Sequence, residues 1–375
     1  MTEDTGRPMR ILFFGGGWPT NIGNAFIDLG AMALLRSAFP SARIAFGSGL
    51  PRWFFRESIE TLRGRRKSPL ARLRYGPTHL FDPSVGWENA LVPSALTDCD
   101  LVVYAGNAVT QRFVAQSGPT ISALVERGIP VILLGVGAAE YTDDEQADYV
   151  AFLRRIRPVS VITRDTVTYD MLSPVAVSSY RGIDCGFFLP EAYRPFDLVL
   201  PEYVVLAFDD SPEPEIDAGT ALIVRAHHAI WGIAPEDWLS HANTLISDVP
   251  EDYLALYANA GEVHSDRVHA CVASLAYGKR ARLYNETRRG FLFDVVGAGA
   301  IRDEAVSLDL GLLEQKKKAL VSFLREVVAR LQRATRLTGF GWSNEENRAR
   351  GGALHKRSQL DRRGGGGHAG PGLQP

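Results

Sequence analysis

Short apolar runs recur along this chain. Each leads into a glycine-rich or polar loop, and then into residues that are apolar at every third or fourth position. The short runs read as buried strands, and the spaced stretches as helices with one apolar face. In the first half, strands are expected at Arg10 to Phe14, Arg43 to Phe46, Asp100 to Tyr104, Val131 to Leu134 and Val159 to Thr163. Helices are expected at Ala25 to Ala38, Ile121 to Arg127 and Asp143 to Ile156, with a short one running from Arg164-Asp165 to Leu172. Later strands are expected at Tyr203 to Phe208, Ala221 to Ala226 and Thr244 to Ser247. Pro250, with Glu251 and Asp252 beside it, marks the start of a helix to Ala258. Such alternation predicts α/β architecture with parallel sheets covered on both faces.

Pro190, Pro195 and Pro201 interrupt the pattern and mark an interdomain linker. The expected organisation is two doubly wound, Rossmann-like domains facing a cleft. The first spans residues 1–190, with a basic insertion at about 51–78, and the second spans 196–336. A helix from Leu313 to Leu331 carries Leu320, Leu324, Val327 and Leu331 on one stripe and should pack back on the body. Residues 340–375 hold few large apolar side chains and an unbroken glycine run, so a disordered tail is expected there.

Composition narrows the function classes. Apolar residues are 46% and charged residues 22%, which suits a globular protein, and the net charge of −2 gives no bulk attraction for nucleic acid. Cys99, Cys185 and Cys271 are scattered and odd in number, so a reducing compartment is expected rather than a disulfide framework. The N-terminus lacks the features of a signal peptide, and no apolar run approaches a membrane span. A cytoplasmic location is therefore expected. The adjacent His227 and His228 have no third ligand at metal-binding spacing, so no metal is expected. Trp231 beside them reads as a core or surface aromatic, with sugar stacking as the alternative. Arg52, Arg56, Arg63, Arg65, Arg66, Lys67, Arg72 and Arg74 make 51–78 either a solvated insertion or a lid for an anionic acceptor.

The chemistry concentrates in residues 261–284. A strand at about Gly261 to His264 runs into Ser265 and Asp266, either of which can cap a helix that buries Val268, Cys271, Val272 and Leu275. Gly278 ends that helix, and another strand follows near Ala281 to Tyr284. Arg267 and His269 then stand at a helix N-terminus, where free amides and the dipole favour an anion. Both also have plain structural readings, as a cap and as a satisfied histidine. Arg164, at a strand end on the crevice side, is a second candidate anion ligand, with a salt bridge as its plain reading. Gly16 and Gly17, with Asn21 and Asn24 after them, form a loop through which a ligand can approach backbone amides.

Asp266-Arg267-Val268-His269-Ala270, followed by a small-residue helix, a glycine and a strand, resembles the signature of the polysaccharide pyruvyl transferase family. Leu134 to Gly137 and Arg164-Asp165 also resemble family segments, as does Ile183-Asp184-Cys185-Gly186-Phe187 with Cys185 in place of a proline. The chain departs from the family at Asn24, where a carboxylate is usual, at Ala105-Gly106-Asn107, where glycines are usual, and at Arg288 or Arg289, where a lysine is usual. The resemblance implies a fold like that of the B-type glycosyltransferases. It also implies transfer of the pyruvyl unit of phosphoenolpyruvate onto hydroxyls of a sugar or polysaccharide precursor, forming a ketal. His269 and Arg267 would then be catalytic. Arg164, Arg288, Ser265, Gly16, Gly17, Asn21 and Asn24 would bind substrate. Phosphoenolpyruvate is the donor, with no further cofactor, and the acceptor is a sugar or a lipid-linked oligosaccharide that would draw the enzyme to the membrane periphery. The alternatives are a nucleotide-sugar glycosyltransferase, which would grip a diphosphate at the same helix end, and a noncatalytic member that binds an anion.

Overall fold

The computed structural model describes residues 7–15, 21–48, 93–106, 108–138, 141–228 and 241–338. The expectations for Gly16, Gly17, the basic stretch 51–78, Trp231 and the tail 340–375 lie outside the described residues.

Two parallel sheets organise the chain. The first contains β1 (Arg10–Gly15), β2 (Arg43–Ser48), β3 (Leu101–Ala105), β4 (Ala108–Val109), β5 (Val131–Ala138), β6 (Ser160–Thr163) and β7 (Ser179–Arg181). Its order among the described residues is β2-β1-β3-β5-β6-β7, with β4 paired to β5. The second contains β8 (Tyr203–Ala207), β9 (Leu222–Ala226), β10 (Thr244–Leu245), β11 (Glu262–Ser265) and β12 (Arg280–Leu283), in the order β10-β9-β8-β11-β12. Both orders reverse direction once, beside β1 in the first sheet and beside β8 in the second. That reversal is the mark of doubly wound α/β folds, and it opens a crevice at the carboxyl ends of the strands. Strands β3, β5 and β6 are buried along their whole length, as their unbroken apolar runs require of strands covered on both faces.

Helix α1 (Gly23–Ala38) packs against both the first sheet and the 3-10 turn Cys185–Phe188. Gly30 allows the approach, because a Cβ there would lie 1.9 Å from the Cys185 carbonyl oxygen. The strand at Val131 runs four residues beyond the expected Leu134. Gly135 takes the left-handed φ of +64, and the pairing with β6 shifts register between Leu133 and Val136, so the strand bends and continues. Helix α2 (Gln111–Glu126) begins ten residues before the expected Ile121. Thr110 caps it by accepting the Phe113 N–H, and the Gly118-Pro119 pair inside it reads as a helix break in the sequence.

The final helix, α3 (Leu310–Thr338), is longer than the expected Leu313 to Leu331 and bridges the two sheets. Near its start, Leu310 lies against Gly278 of the second unit. Farther along, Arg325 donates to the carbonyls of Ser37 and Ala38, and Phe323 stacks on Tyr180 of β7. Lys317, buried among these contacts, pairs with Glu191 at 2.9 Å. Among the described residues, no helix is long and apolar enough to cross a membrane.

Candidate active site

The sequence around β11 folds as a strand-to-helix turn. Helix α4 (Val268–Ala276) follows β11, with Arg267 at the N-cap position and no side chain capping it. Val268, Cys271, Val272 and Leu275 are all buried, and Gly278 ends the helix with a φ of +75. Ser265 and Asp266 do not cap α4 in the expected way. The Asp266 carboxylate instead accepts the backbone N–H groups of Asp209, Asp210 and Ser211, fixing the loop after β8. Ser265 corrects the sequence reading. It is completely buried and donates its hydroxyl to the Ala207 carbonyl at 2.7 Å, so it braces β8 and is closed to a substrate.

Two clusters stand at the carboxyl ends of the strands. The first joins the two units. Arg164, at the end of β6, donates from Nη1 to Oδ2 of Asp184 at 3.1 Å, and both side chains are buried. The same Oδ2 lies 3.7 Å from Nε2 of His269, on the second turn-and-helix unit. Asp184 also accepts the Gly186 N–H at Oδ1. Burial alone would raise the Asp184 carboxyl, but His269, Arg164 and the Gly186 amide outweigh it and hold the group below the usual carboxylate range. Gly186 has no Cβ where Val272 of α4 approaches, so the Asp184 turn can press against the helix that carries His269.

The second cluster surrounds Asp209, two residues past the end of β8. Its carboxylate contacts His227 Nδ1 at 3.1 Å, accepts the His228 N–H at 3.0 Å and lies 3.4 Å from Arg267 Nε. Arg267 also pairs with Asp210 at 2.6 Å. Burial opposes the Asp209 charge, but His227 and its neighbours hold its carboxyl below the usual range. His228 is buried between the two clusters. Burial pushes its imidazole down to about 3, so the ring is neutral. One ring nitrogen, Nε2, meets the buried Tyr257 hydroxyl.

The start of α1 closes the site. Asn21 accepts the Gly23 N–H on its side-chain oxygen, and the Ile22 N–H donates to the His228 carbonyl across the units at 3.0 Å. A Cβ on Gly23 would lie 3.2 Å from His269 Cβ and 3.4 Å from His228 Nδ1, so both histidines flank this glycine. Asn24 is half-buried one residue further on.

Among the described candidates, Arg164 and His269 therefore meet through Asp184, and Asn21 holds the N–H of Gly23, the glycine that flanks His269, while no described contact joins Asn24 to either cluster. Arg267 is turned toward Asp209 and Asp210, with its side chain 16% exposed. Arg288 is exposed at the start of the 3-10 turn Arg288–Leu292, and no described contact joins it to either cluster. Sequence reasoning did not assign Asp184, Asp209, His227 or His228 to the site. The available signal was position: each follows a parallel strand at its carboxyl end. Among the described residues, no group of three or more His, Cys, Asp or Glu side chains is arranged to hold a metal ion.

The family model described as polysaccharide pyruvyl transferase matches residues 21–286. No curated protein matches. Similar solved structures include a UDP-N-acetylglucosamine 2-epimerase from Rickettsia bellii, at 13% identity over 89% of this chain and 100% of that one, with a TM-score of 0.47. Another is the S. aureus MnaA–UDP co-structure, at 10% identity over 84% of this chain and 88% of that one, with a TM-score of 0.46. A third is the UDP-GlcNAc 2-epimerase from Methanocaldococcus jannaschii, at 10% identity over 84% of this chain and 93% of that one, with a TM-score of 0.43. The family match runs from the start of α1 to just past β12 and takes in strands of both sheets, Arg164, Asp184, Arg267 and His269. The chain belongs to the polysaccharide pyruvyl transferase family and is a transferase.

Proposed function

We propose that this protein transfers the pyruvyl unit of phosphoenolpyruvate onto two hydroxyls of a sugar in a cell-surface polysaccharide precursor, releasing phosphate and leaving a cyclic ketal. The observation that carries the reading is the convergence of Arg164, Asp184 and His269 where the two sheets meet. An arginine and a histidine drawn from opposite units suit a small dianion bound between them.

The reaction asks for two kinds of group. In the first stage a sugar hydroxyl adds across the enol double bond. Its O–H bond breaks, a C2–O bond forms, and C3 gains a proton and becomes a methyl. A group that can take and return a proton serves this stage, and His269 is assigned that role. In the second stage the C2–O bond to phosphate breaks with its electron pair, and a second hydroxyl adds at C2 as it loses its proton. Arginines that meet phosphate and carboxylate stabilise the departing charge. Arg164 is the nearer candidate. Arg267 joins it when a substrate anion competes with Asp209 and Asp210 for its guanidinium. The donor substrate is the only cofactor this scheme uses, and the acceptor is a free or lipid-linked sugar on the cytoplasmic side of the membrane.

The test is a thermal-shift comparison of phosphoenolpyruvate with nucleotide sugars. A ligand that binds only the native state raises the melting temperature, by an amount that grows with the logarithm of its concentration relative to its dissociation constant. Phosphoenolpyruvate is expected to stabilise the protein, and Arg164→Met to abolish that shift. Stabilisation by nucleotide sugars alone would replace this reading with glycosyl transfer. Binding of phosphoenolpyruvate without turnover on any sugar acceptor would identify a noncatalytic member.

A further inference from the structure

We infer that Asp184 is a positioning residue that sets the tautomer of His269, holding the proton on Nε2 and leaving Nδ1 as the nitrogen that exchanges protons with substrate. The inference rests on the role given to His269 above and adds to it a chemical state that can be read without any substrate.

The geometry is specific to one ring nitrogen. Nε2 of His269 is sealed from solvent, and among the described residues it has no hydrogen-bond partner. The acceptor placed toward it is Asp184 Oδ2, at 3.7 Å, a distance a small ring movement closes. The side chain as a whole is 17% exposed, so solvent meets it elsewhere than at Nε2. A sealed nitrogen facing a carboxylate carries a proton, because two lone pairs there would repel and leave the buried atom unsatisfied. In the neutral ring, the lone pair then falls on Nδ1.

Asp184 is itself fixed as an acceptor. Arg164 donates to Oδ2 and Gly186 donates to Oδ1, so both oxygens are held by donors on the first unit. His269 belongs to the second unit, on α4. The proton position on His269 is thus set by a carboxylate from the opposite unit, and the ring is prepared for transfer only where the two units meet. During the addition stage, Nδ1 takes the hydroxyl proton as the C2–O bond forms and gives a proton to C3. Nε2 keeps its proton throughout, and the charge that forms briefly on the ring faces Asp184.

The experiment is nitrogen-15 NMR on the full chain labelled at histidine. The His269 signals are identified by their loss in His269→Gln. In the free protein, above the titration of the ring, the neutral His269 is expected to carry its proton on Nε2. In Asp184→Asn the preference should weaken or invert. The turnover number should fall at least tenfold in a phosphate-release assay, while phosphoenolpyruvate still shifts the melting temperature. A wild-type ring protonated on Nδ1 overturns the proposal, and so does an Asp184→Asn ring with unchanged tautomer. If Asp184→Asn does not fold, the wild-type tautomer decides alone. The readout needs no turnover, so an Nε2–H ring on a protein that never uses phosphoenolpyruvate would count against pyruvyl transfer and leave the tautomer assignment standing.

Discussion

The guanidinium of Arg164 lies across Gly137, in the place a side chain would occupy. A Cβ on Gly137 would stand 2.2 Å from Arg164 Nε and 2.8 Å from its central carbon. The glycine at the end of β5 therefore makes the space in which the arginine reaches Asp184. Gly137→Ala should displace the guanidinium and break the buried pair. Overpacking of this kind costs about 1–3 kcal/mol. Urea unfolding should show a loss in that range, and phosphoenolpyruvate should no longer raise the melting temperature. A variant with unchanged stability and an unchanged ligand shift would remove Gly137 from the account.

Ser265 provides the opposite control. Its hydroxyl is committed to the Ala207 carbonyl and is out of reach of a ligand. Ser265→Ala removes one of the two donors to that carbonyl and the acceptor of the Arg267 N–H, and should cost about 1–2 kcal/mol in chemical denaturation. The phosphoenolpyruvate-induced shift, measured from the lower starting temperature, should stay the same size. A selective loss of that shift would return Ser265 to the substrate site.

Acid sensitivity follows from His228. Its folded value, about 3, lies below its ordinary 6.5 because the ring is buried. The unfolded chain takes up this proton first as pH falls, so stability is full above about 6.5 and declines toward about 3, by about 1.4 kcal/mol per pH unit. His264, also held down by burial, adds to the same slope. Asp184 and Asp209 act in the same direction, but only below their unfolded values near about 4. Between about pH 4.5 and 6 the slope therefore belongs to the histidines. Unfolding free energies across that window should fall less steeply in His228→Gln, by up to one proton's worth. An identical slope in the variant would show that His228 titrates normally in the folded state.

Much of the architecture was legible in the sequence, because buried parallel strands announce themselves as apolar runs between loops. Val131 to Leu134 and Asp143 to Ile156 needed no tertiary information. The failures have local causes. Gly118-Pro119 reads as a helix break, so the sequence places a helix only from Ile121, whereas Thr110 caps α2 well before that pair. Ser265 looked like a ligand because its position before a helix is common to phosphate sites and to buried braces, and only its contact with β8 separates the two. Arg164 and His269 were recognisable as residue types at the right ends of strands. That they meet through Asp184 was not, since Asp184 and His269 lie far apart in the chain and beside different sheets. Asp184 stands before Cys185 in a segment without periodicity, and its importance comes from what the folded chain brings to it.

The central claim is that His269 transfers protons during pyruvyl transfer from phosphoenolpyruvate. The most direct measurement incubates the enzyme with carbon-labelled phosphoenolpyruvate and a panel of sugar and lipid-linked acceptors, following label transfer and phosphate release together. The account predicts equimolar phosphate and acceptor-bound label with the native protein. It predicts neither with His269→Ala, whose unfolding transition should remain cooperative. Equal label transfer by the folded His269→Ala protein would contradict it.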